Sequence, residues 1–324
     1  MSHFHFGIYP GGMTGTETGL TTGPADNTAE IQKALQLLQG DASSLLVRCY
    51  IGYHSKEKIS HSTPVRPEQY VTKGRGLDLV LCFQSEDENM EHWKEFIRTM
   101  IHQYQNELVK IQITEEANVN LPSLDGHYKN SRKALVEGVI AAKQEINRLK
   151  LNTLVGFNAT PDFSPDKLFW KEIASLASDD FRKSIDYVGI DFFPDVFRPI
   201  QPDGNAFDLK AAMKGVFTQF RKDIQSIGIT SEIPLHITEN GWPTGISKTY
   251  EQQAIMLEKI IRQIYEYRNE FNITAYELFA LRDADSSNPD IFYQFGIMRD
   301  DYTPKPAFHV YQNLISELTI GLTK

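Results

Sequence analysis

The most informative stretch of this 324-residue chain is Pro234-Leu-His-Ile-Thr-Glu239-Asn-Gly-Trp-Pro243. Residues 235–238 predict a short strand, and Asn240-Gly241 predicts the turn that ends it. Glu239 is therefore an acid at the last position of a strand, with a tryptophan three residues further on. Packing alone does not explain a carboxylate at that position, so we interpret Glu239 as a candidate functional residue.

A second strand end has the same character. Residues 108–113 form an apolar run that is followed by Thr114-Glu115-Glu116-Ala-Asn118. We expect this end to face Glu239, because parallel strands of a barrel all end at the same face. Since Glu115 and Glu116 are adjacent, a regular strand would point only one of them into a cleft.

Strands and helices alternate along the whole chain. The strands are predicted at 4–9, 44–51, 77–83, 109–114, 153–158, 185–193, 235–239 and 275–281. The helices are predicted at 27–40, 88–104, 131–149, from Pro165, and at 207–227, 249–267 and 306–318. Eight such units predict an α/β protein with a single (β/α)8, or TIM, barrel over residues 1–324.

Two points limit that prediction. The second unit is the least regular, because no helix can be placed between residues 54 and 76. An open, doubly wound sheet is the rival architecture. It is disfavoured because the chain has neither Gly-x-Gly-x-x-Gly after the first strand nor a phosphate-binding loop.

Composition excludes several classes of partner. The net charge of −9 and the pI of about 5.5 disfavour binding to nucleic acid or to anionic membranes. No apolar run is long enough to span a bilayer, and the N-terminus is unlike a secretory signal, so we expect a cytoplasmic protein. Cys49 and Cys82 are expected to be buried free thiols, and no cysteine–histidine cluster has zinc-ligand spacing.

The predicted strand ends meet at one mouth of the barrel and bring a set of mostly polar residues together there. They include Tyr9, Arg48, Glu115, Glu116, Asn158, Asp191, Phe193, Glu239, Trp242, Arg282 and Asp283. Carboxylates that lie close together raise each other's pKa, whereas an arginine lowers the pKa of its neighbour. Such a site can keep one carboxyl protonated and another ionised, which is what hydrolysis of a glycosidic bond requires.

Four motifs resemble a known group, the retaining glycoside hydrolases of clan A, which have (β/α)8 barrels. Residues 237–244, Ile-Thr-Glu-Asn-Gly-Trp-Pro-Thr, resemble the nucleophile segment of β-1,3-glucanases and endo-β-1,4-galactanases. Residues 114–118 occupy the place of the clan's Asn-Glu-Pro-Asn acid/base segment, and Asp191-Phe-Phe-Pro194 is similar to its sixth-strand segment. Residues 295–307 resemble its C-terminal ending with Pro-Lys-Pro-Ala.

The resemblance implies an activity and roles for residues. Glu239 would be the nucleophile, Glu116 the general acid/base, and Arg48 the arginine that keeps the nucleophile ionised. The resemblance implies no metal or cofactor, and a small carbohydrate or glycoside as the ligand. The remaining strand-end residues, with Trp242 as a platform for a sugar ring, would bind the substrate: Glu115, Asn158, Asp191, Phe193, Trp242, Arg282 and Asp283.

The chain departs from the clan pattern at two positions. Glu115 stands where the clan has asparagine, and Phe193 stands where it often has a tyrosine that donates to the nucleophile. A barrel that binds carbohydrate without turnover is therefore an alternative. A metal-dependent hydrolase is a third possibility, weakened by the lack of paired histidines at strand ends. The loops at 11–26, 55–76 and 283–294 are expected to set the sugar and the linkage.

Overall fold

The computed structural model describes residues 4–55, 58–197 and 209–320, and it contains a closed parallel barrel. The barrel strands are β1 (His5–Ile8), β2 (Leu45–Ser55), β3 (Arg75–Phe83), β4 (Leu108–Ile113), β5 (Leu154–Ala159), β6 (Tyr187–Asp191), β7 (Leu235–Asn240) and β8 (Ile273–Leu278). Each pairs in parallel with its neighbour in the sequence, and β1 closes the ring by pairing with both β2 and β8. The predicted (β/α)8 barrel is confirmed.

Helices cover the outside of the strands. They are α1 (Thr28–Gln39), α2 (Met90–Tyr104), α3 (Ser131–Leu149), α4 (Leu168–Leu176), α5 (Asp179–Lys183), α6 (Leu209–Ser226), α7 (Tyr250–Tyr267) and α8 (Pro306–Ile320). The predicted start signals of two helices are confirmed. The Asn27 side chain accepts from the backbone of α1, and Thr249 with Gln252 forms a capping box on α7. Residues 207 and 208, at the start of the helix predicted at 207–227, lie outside the described residues.

The second unit differs from the prediction. β2 continues to Ser55, and residues Lys58–Thr63 return alongside it as an antiparallel strand. A short 3-10 helix, Pro67–Tyr70, then leads to β3. Pro64 and Pro67 made this segment look irregular. The strand ends at Thr63, before both prolines, and it lies at an edge, where hydrogen bonds are needed along one side only. This β2 hairpin extends beyond the barrel mouth. An α-helix in its place would instead have packed against the outer wall of the barrel.

Two predicted element ends are shifted. The helix after β5 begins at Leu168 and not at Pro165, because Lys167 adopts a left-handed conformation with φ of 51° immediately before it. β6 ends at Asp191, which leaves Phe193 in a loop. That earlier end lets the loop after β6 turn over the mouth of the barrel.

A buried charge network fills part of the barrel interior. Lys110 lies 3.1 Å from Asp78 and also pairs with Glu277, and Arg48 donates to Asp78 at 2.8 Å. Burial raises the pKa of Glu277 to about 8. Burial also opposes ionisation of Asp78, but Lys110 and Arg48 together lower its pKa to about 2. The network anchors Arg48, whose guanidinium then reaches towards the mouth of the barrel.

Two further expectations concern the cysteines and the membrane. Cys49 and Cys82 are both buried free thiols, as predicted. Among the helices of the described ranges, none has both the length and the apolar character needed to cross a membrane.

Candidate active site

A cavity of about 1050 Å³ opens at the carboxyl ends of the barrel strands. This is the face at which (β/α)8 barrels carry their active sites. The predicted residues that line it are Glu115, Glu116, Asp191, Phe193 and Glu239. The structure thus brings the acids of three separately predicted strand ends into one cavity.

Four carboxyl groups meet on the floor of this cavity. One oxygen atom from each of Glu115, Glu116, Asp191 and Glu239 lies within 4.8 Å of the others. We call these four residues the acid cluster. Glu115, Asp191 and Glu239 are buried, whereas Glu116 is partly exposed to the cavity. Burial and the nearby acids raise the pKa values of Glu116, Asp191 and Glu239 above their usual range, which favours protons in the cluster.

A regular strand would point only one of Glu115 and Glu116 into the cleft, but the strand does not reach them and both line the cavity. β4 ends at Ile113, so neither residue lies in a regular strand. Thr114 has a φ of 66° and Glu116 a φ of 45°, and these left-handed conformations turn both side chains into the cavity. The backbone N–H of Glu116 donates to Asn158 Oδ1 at 2.9 Å, which fixes this turn.

Glu115 is held by three donors from the protein. It accepts from Gln112 Nε2 at 2.7 Å, from Asn158 Nδ2 at 3.1 Å and from Arg48 at 3.2 Å. Both of its carboxylate oxygens are therefore occupied. Through these hydrogen bonds the Glu115 carboxylate fixes the positions of the Gln112, Asn158 and Arg48 side chains.

Asp191 is oriented by the strands on either side of it. Thr238 Oγ1 donates to one carboxylate oxygen at 2.6 Å, and Asn158 Nδ2 donates to the other. Asn158 is fully buried, so it acts behind the cavity surface. The pKa of Asp191 is raised well above its usual range by burial first, then by Glu115 and Glu239.

Glu239 has a different set of neighbours. The hydroxyl of Tyr50 donates to Glu239 Oε1, and the same hydroxyl accepts from Arg48 Nε at 2.7 Å. Arg48 Nε itself lies 3.9 Å from Glu239 Oε1. The other donors of Arg48 go to Asp78, Gln112 and Glu115, so Arg48 acts on Glu239 through its nearby charge and through the phenol.

Sequence reasoning missed Tyr50. Phe193 stands where the clan often has a tyrosine, and here a tyrosine on a different strand, Tyr50 of β2, donates to Glu239. The available signal was the period of two in a strand, which places residues 48 and 50 on the same face. Gln112 on β4 was also missed. It lies two residues before Thr114, so the same period of two could have indicated it.

Charge and burial place Glu116 and Glu239 in two different environments. The pKa of Glu116 is raised by burial, then by Asp191 and Glu115, and Asp191 also shares a hydrogen bond with it. Burial and Glu115 raise the pKa of Glu239 as well, but Arg48 and the Tyr50 hydroxyl oppose that shift. The Tyr50 hydroxyl and the charge of Arg48 thus favour the ionised form of Glu239, whereas the hydrogen bond with Asp191 favours the protonated form of Glu116.

Carboxylate oxygens at this spacing also resemble the ligands of a hard cation. In this site, however, Arg48 lies among the acids, and Gln112 and Asn158 already donate to Glu115. A metal ion would have to displace these donors. The donor set fits a cluster neutralised by protons and an arginine better than it fits a metal centre.

Three predicted substrate-binding residues lie away from the cavity. Arg282 binds Asp26 at 2.7 Å, and Asp283 pairs with Lys305 at 2.8 Å. The ring of Trp242 is buried, and Lys248 Nζ lies 4.3 Å from its centre. None of the three belongs to the cavity lining, so we correct their predicted role to one of stabilising loops. β8 ends at Leu278, four residues before Arg282, and Phe279 takes the place at the mouth.

Comparison with known proteins agrees with this architecture. No family model and no curated protein sequence matches the chain. Among solved structures, a β-glucosidase from Exiguobacterium antarcticum B7 matches with a TM-score of 0.62 and 13% identity, over 99% of this chain and 100% of the other. A β-glucosidase from Exiguobacterium marinum matches with a TM-score of 0.61 and 12% identity, over 97% and 98%.

A β-glucuronidase from Bifidobacterium dentium is also similar. Its TM-score is 0.58 at 15% identity, and the match covers 97% of this chain but 46% of the other, so the chain spans about half the length of that enzyme. Identities this low establish the fold alone. The chain has the (β/α)8 barrel fold of these glycoside hydrolases.

Proposed function

We propose that this protein is a retaining glycoside hydrolase that cleaves a β-glycosidic bond by double displacement. The observation that carries the proposal is the separation of no more than 4.8 Å between carboxyl oxygens of Glu116 and Glu239. Retaining enzymes keep their two carboxyl groups about 5–5.5 Å apart, whereas inverting enzymes need about 6.5–9.5 Å to admit a water molecule. The short separation favours direct attack by one of the two carboxylates.

Glu239 is the nucleophile in this proposal. It is the member of the pair that accepts the Tyr50 hydroxyl and lies within 4 Å of the Arg48 guanidinium. Both contacts stabilise the ionised form, which a nucleophilic carboxylate requires. The phenol also limits rotation of the carboxylate, so one oxygen stays available to the substrate.

Glu116 is the general acid/base. It faces the cavity, and its nearest ionisable neighbours are acids that favour its protonated form. In the first step a Glu239 oxygen bonds to the anomeric carbon as the bond to the leaving oxygen breaks, and that oxygen takes the proton of Glu116. In the second step ionised Glu116 removes a proton from water, whose oxygen displaces Glu239 from the anomeric carbon.

A panel of aryl β-glycosides tests the proposal. The panel carries several sugars, including glucose and glucuronic acid, on p-nitrophenol. We expect turnover of at least one member, lost by several orders of magnitude in Glu239→Gln. Glu116→Ala should retain the first step on substrates with a good leaving group, and azide should accelerate its second step by replacing the base-activated water.

The control variant is Glu145→Gln, which removes a buried carboxylate that pairs with Arg148 on the outside of the barrel. It should keep the activity of the wild type. Sugar binding without turnover of any member would favour the alternative of a carbohydrate-binding barrel. Activity that a chelator abolishes and a divalent ion restores would contradict the two-carboxylate mechanism.

A further inference from the structure

We propose, on the basis of the function proposed above, that the substrate is an amphiphilic glycoside whose aglycone is a large apolar group. The cavity contains a contiguous group of phenylalanines, which we call the aromatic wall: Phe193, Phe197, Phe279, Phe292 and Phe295. The wall adjoins the acid cluster, because Phe193 follows Asp191 by two residues and Phe279 directly follows β8.

The five rings of the aromatic wall pack as one surface. The ring centre of Phe197 lies 5.7 Å from that of Phe292, at an interplanar angle of 26°. Phe193 lies 5.5 Å from Phe197 and 5.6 Å from Phe295, and Phe295 lies 5.8 Å from Phe279. These distances are those of aromatic pairs in protein cores. The wall is therefore a preformed surface rather than a set of unrelated side chains.

Part of this surface is accessible. Phe197 exposes 51% of its side chain, and Phe163 on the loop after β5 exposes 55% and also lines the cavity. Large exposed apolar patches on soluble proteins commonly mark binding sites, because leaving them in contact with water costs free energy. Their position inside the cavity assigns this surface to the same ligand that reaches the acid cluster.

The chemistry of phenylalanine selects the kind of group that binds there. A phenylalanine ring has no hydrogen-bonding atom, whereas a sugar ring carries hydroxyl groups around its edge. A hydroxyl that leaves water without finding a partner costs roughly 1–3 kcal/mol in proteins. A hydroxylated aglycone would lose this free energy at several positions, whereas an alkyl or aryl aglycone would gain from burial.

The opposite side of the mouth carries polar groups together with apolar side chains such as Met13, Leu20 and Val119. There the loops after β1, β2, β3 and β4 contribute hydroxyl, imidazole and amide groups, which belong to Thr14, His61, Thr63, Gln84 and Ser123. Burial lowers the pKa of His61, which favours its neutral imidazole, and Nδ1 of that ring lies 3.1 Å from Ser60 Oγ. The aromatic wall comes from the loops after β6 and β8, across the barrel. The sugar fits the polar side and the aglycone the aromatic wall, with the scissile bond above the acid cluster.

The test uses alkyl glycosides of the sugar that the aryl panel identifies. Methyl, butyl and octyl glycosides have leaving groups of similar acidity and differ mainly in apolar area. Each buried methylene is worth roughly fourfold in binding. If about half of the seven additional methylenes are buried, kcat/KM should rise about 100-fold from methyl to octyl. Phe197→Ser should reduce the ratio of octyl to methyl kcat/KM several-fold relative to the wild type.

The matched control is Ile246→Ser, which removes an apolar side chain that is 88% exposed outside the cavity. It should preserve the full dependence on chain length. A flat dependence on chain length, or faster cleavage of a β-linked disaccharide than of the octyl glycoside, would overturn the inference and leave the hydrolase intact.

Failure of the proposed hydrolase is recognised separately, by fluorescence titration with 4-methylumbelliferone, which carries no sugar. If no glycoside is turned over but this aryl group binds, and Phe197→Ser weakens its binding at least fivefold, the aromatic wall is an apolar binding site and the hydrolase is refuted. If no glycoside is turned over and 4-methylumbelliferone does not bind, the inference is refuted as well.

Discussion

Replacing Tyr50 by phenylalanine removes the hydroxyl that lies between Arg48 and Glu239 and keeps the buried ring. The hydroxyl donates to Glu239 and accepts from Arg48 Nε at 2.7 Å, so the variant loses two hydrogen bonds. A hydrogen bond to a charged group contributes roughly 1.5–3 kcal/mol. Since about 1.4 kcal/mol corresponds to a factor of ten, we expect kcat/KM to fall about tenfold to a hundredfold.

The pH profile provides the more specific readout. The acidic limb of kcat/KM reports ionisation of the nucleophile in the free enzyme. The Tyr50 hydroxyl stabilises ionised Glu239, so its removal raises the pKa of Glu239 further. The acidic limb of Tyr50→Phe should therefore move to higher pH, while the alkaline limb set by Glu116 stays in place.

Tyr53→Phe is the matched control. Tyr53 lies on the same strand, is fully buried, and donates to Asp87 Oδ2 at 2.9 Å on the outer side of the barrel. The Tyr53→Phe variant therefore loses a phenol–carboxylate hydrogen bond that does not involve the acid cluster. An unchanged acidic limb in Tyr50→Phe, or a loss of activity that Tyr53→Phe reproduces, would refute the assigned role of Tyr50.

Three further variants probe the charges around the site. Asp191→Asn should move the alkaline limb of kcat/KM to lower pH, because Asp191 raises the pKa of Glu116; an unmoved limb would remove Asp191 from this role. Glu116→Gln should raise the melting temperature by roughly 2 °C or more at pH 8 and less at pH 5. The sign follows because a carboxyl whose pKa is raised by folding loses stability as pH rises above its unfolded pKa, and an equal melting temperature at both pH values would contradict it. Lys110→Met should lower the free energy of unfolding by roughly 3–5 kcal/mol in urea titrations, since it leaves Asp78 and Glu277 without their shared cation.

The barrel was predictable because its elements are local. Short apolar strands, capping residues and helical periodicity each occupy one stretch of chain, and their order alone requires a parallel sheet. Asn27 and Thr249 start their helices as expected because a cap depends only on the next three residues. The hairpin formed by residues 58–63 escaped prediction because its pairing with β2 extends beyond the barrel, and two prolines follow it.

The acids of the site and two of their partners, Arg48 and Asn158, were predictable, but the other partners were not. Glu116 and Glu239 stand at strand ends, which parallel topology brings to one face. The donor to Glu239 comes from Tyr50, 189 positions earlier in the chain, and no local pattern specifies such a contact. Trp242 and Arg282 looked like site residues because they follow strands, yet a few residues beyond a strand end are enough to leave the mouth. The left-handed turn at Glu116, which brings a second glutamate into the cavity, depends on Asn158 from the neighbouring strand.

The proposed mechanism is tested most directly by trapping the covalent intermediate. A 2-deoxy-2-fluoro β-glycoside of the preferred sugar, with a good leaving group, slows release of the sugar more than its transfer to the enzyme. Mass spectrometry of the intact protein and of its peptides then locates the label. We expect one sugar per chain, on Glu239, and none on Glu239→Gln. A label on Glu115, Glu116 or Asp191, or turnover with inversion of configuration and no adduct, would contradict the mechanism.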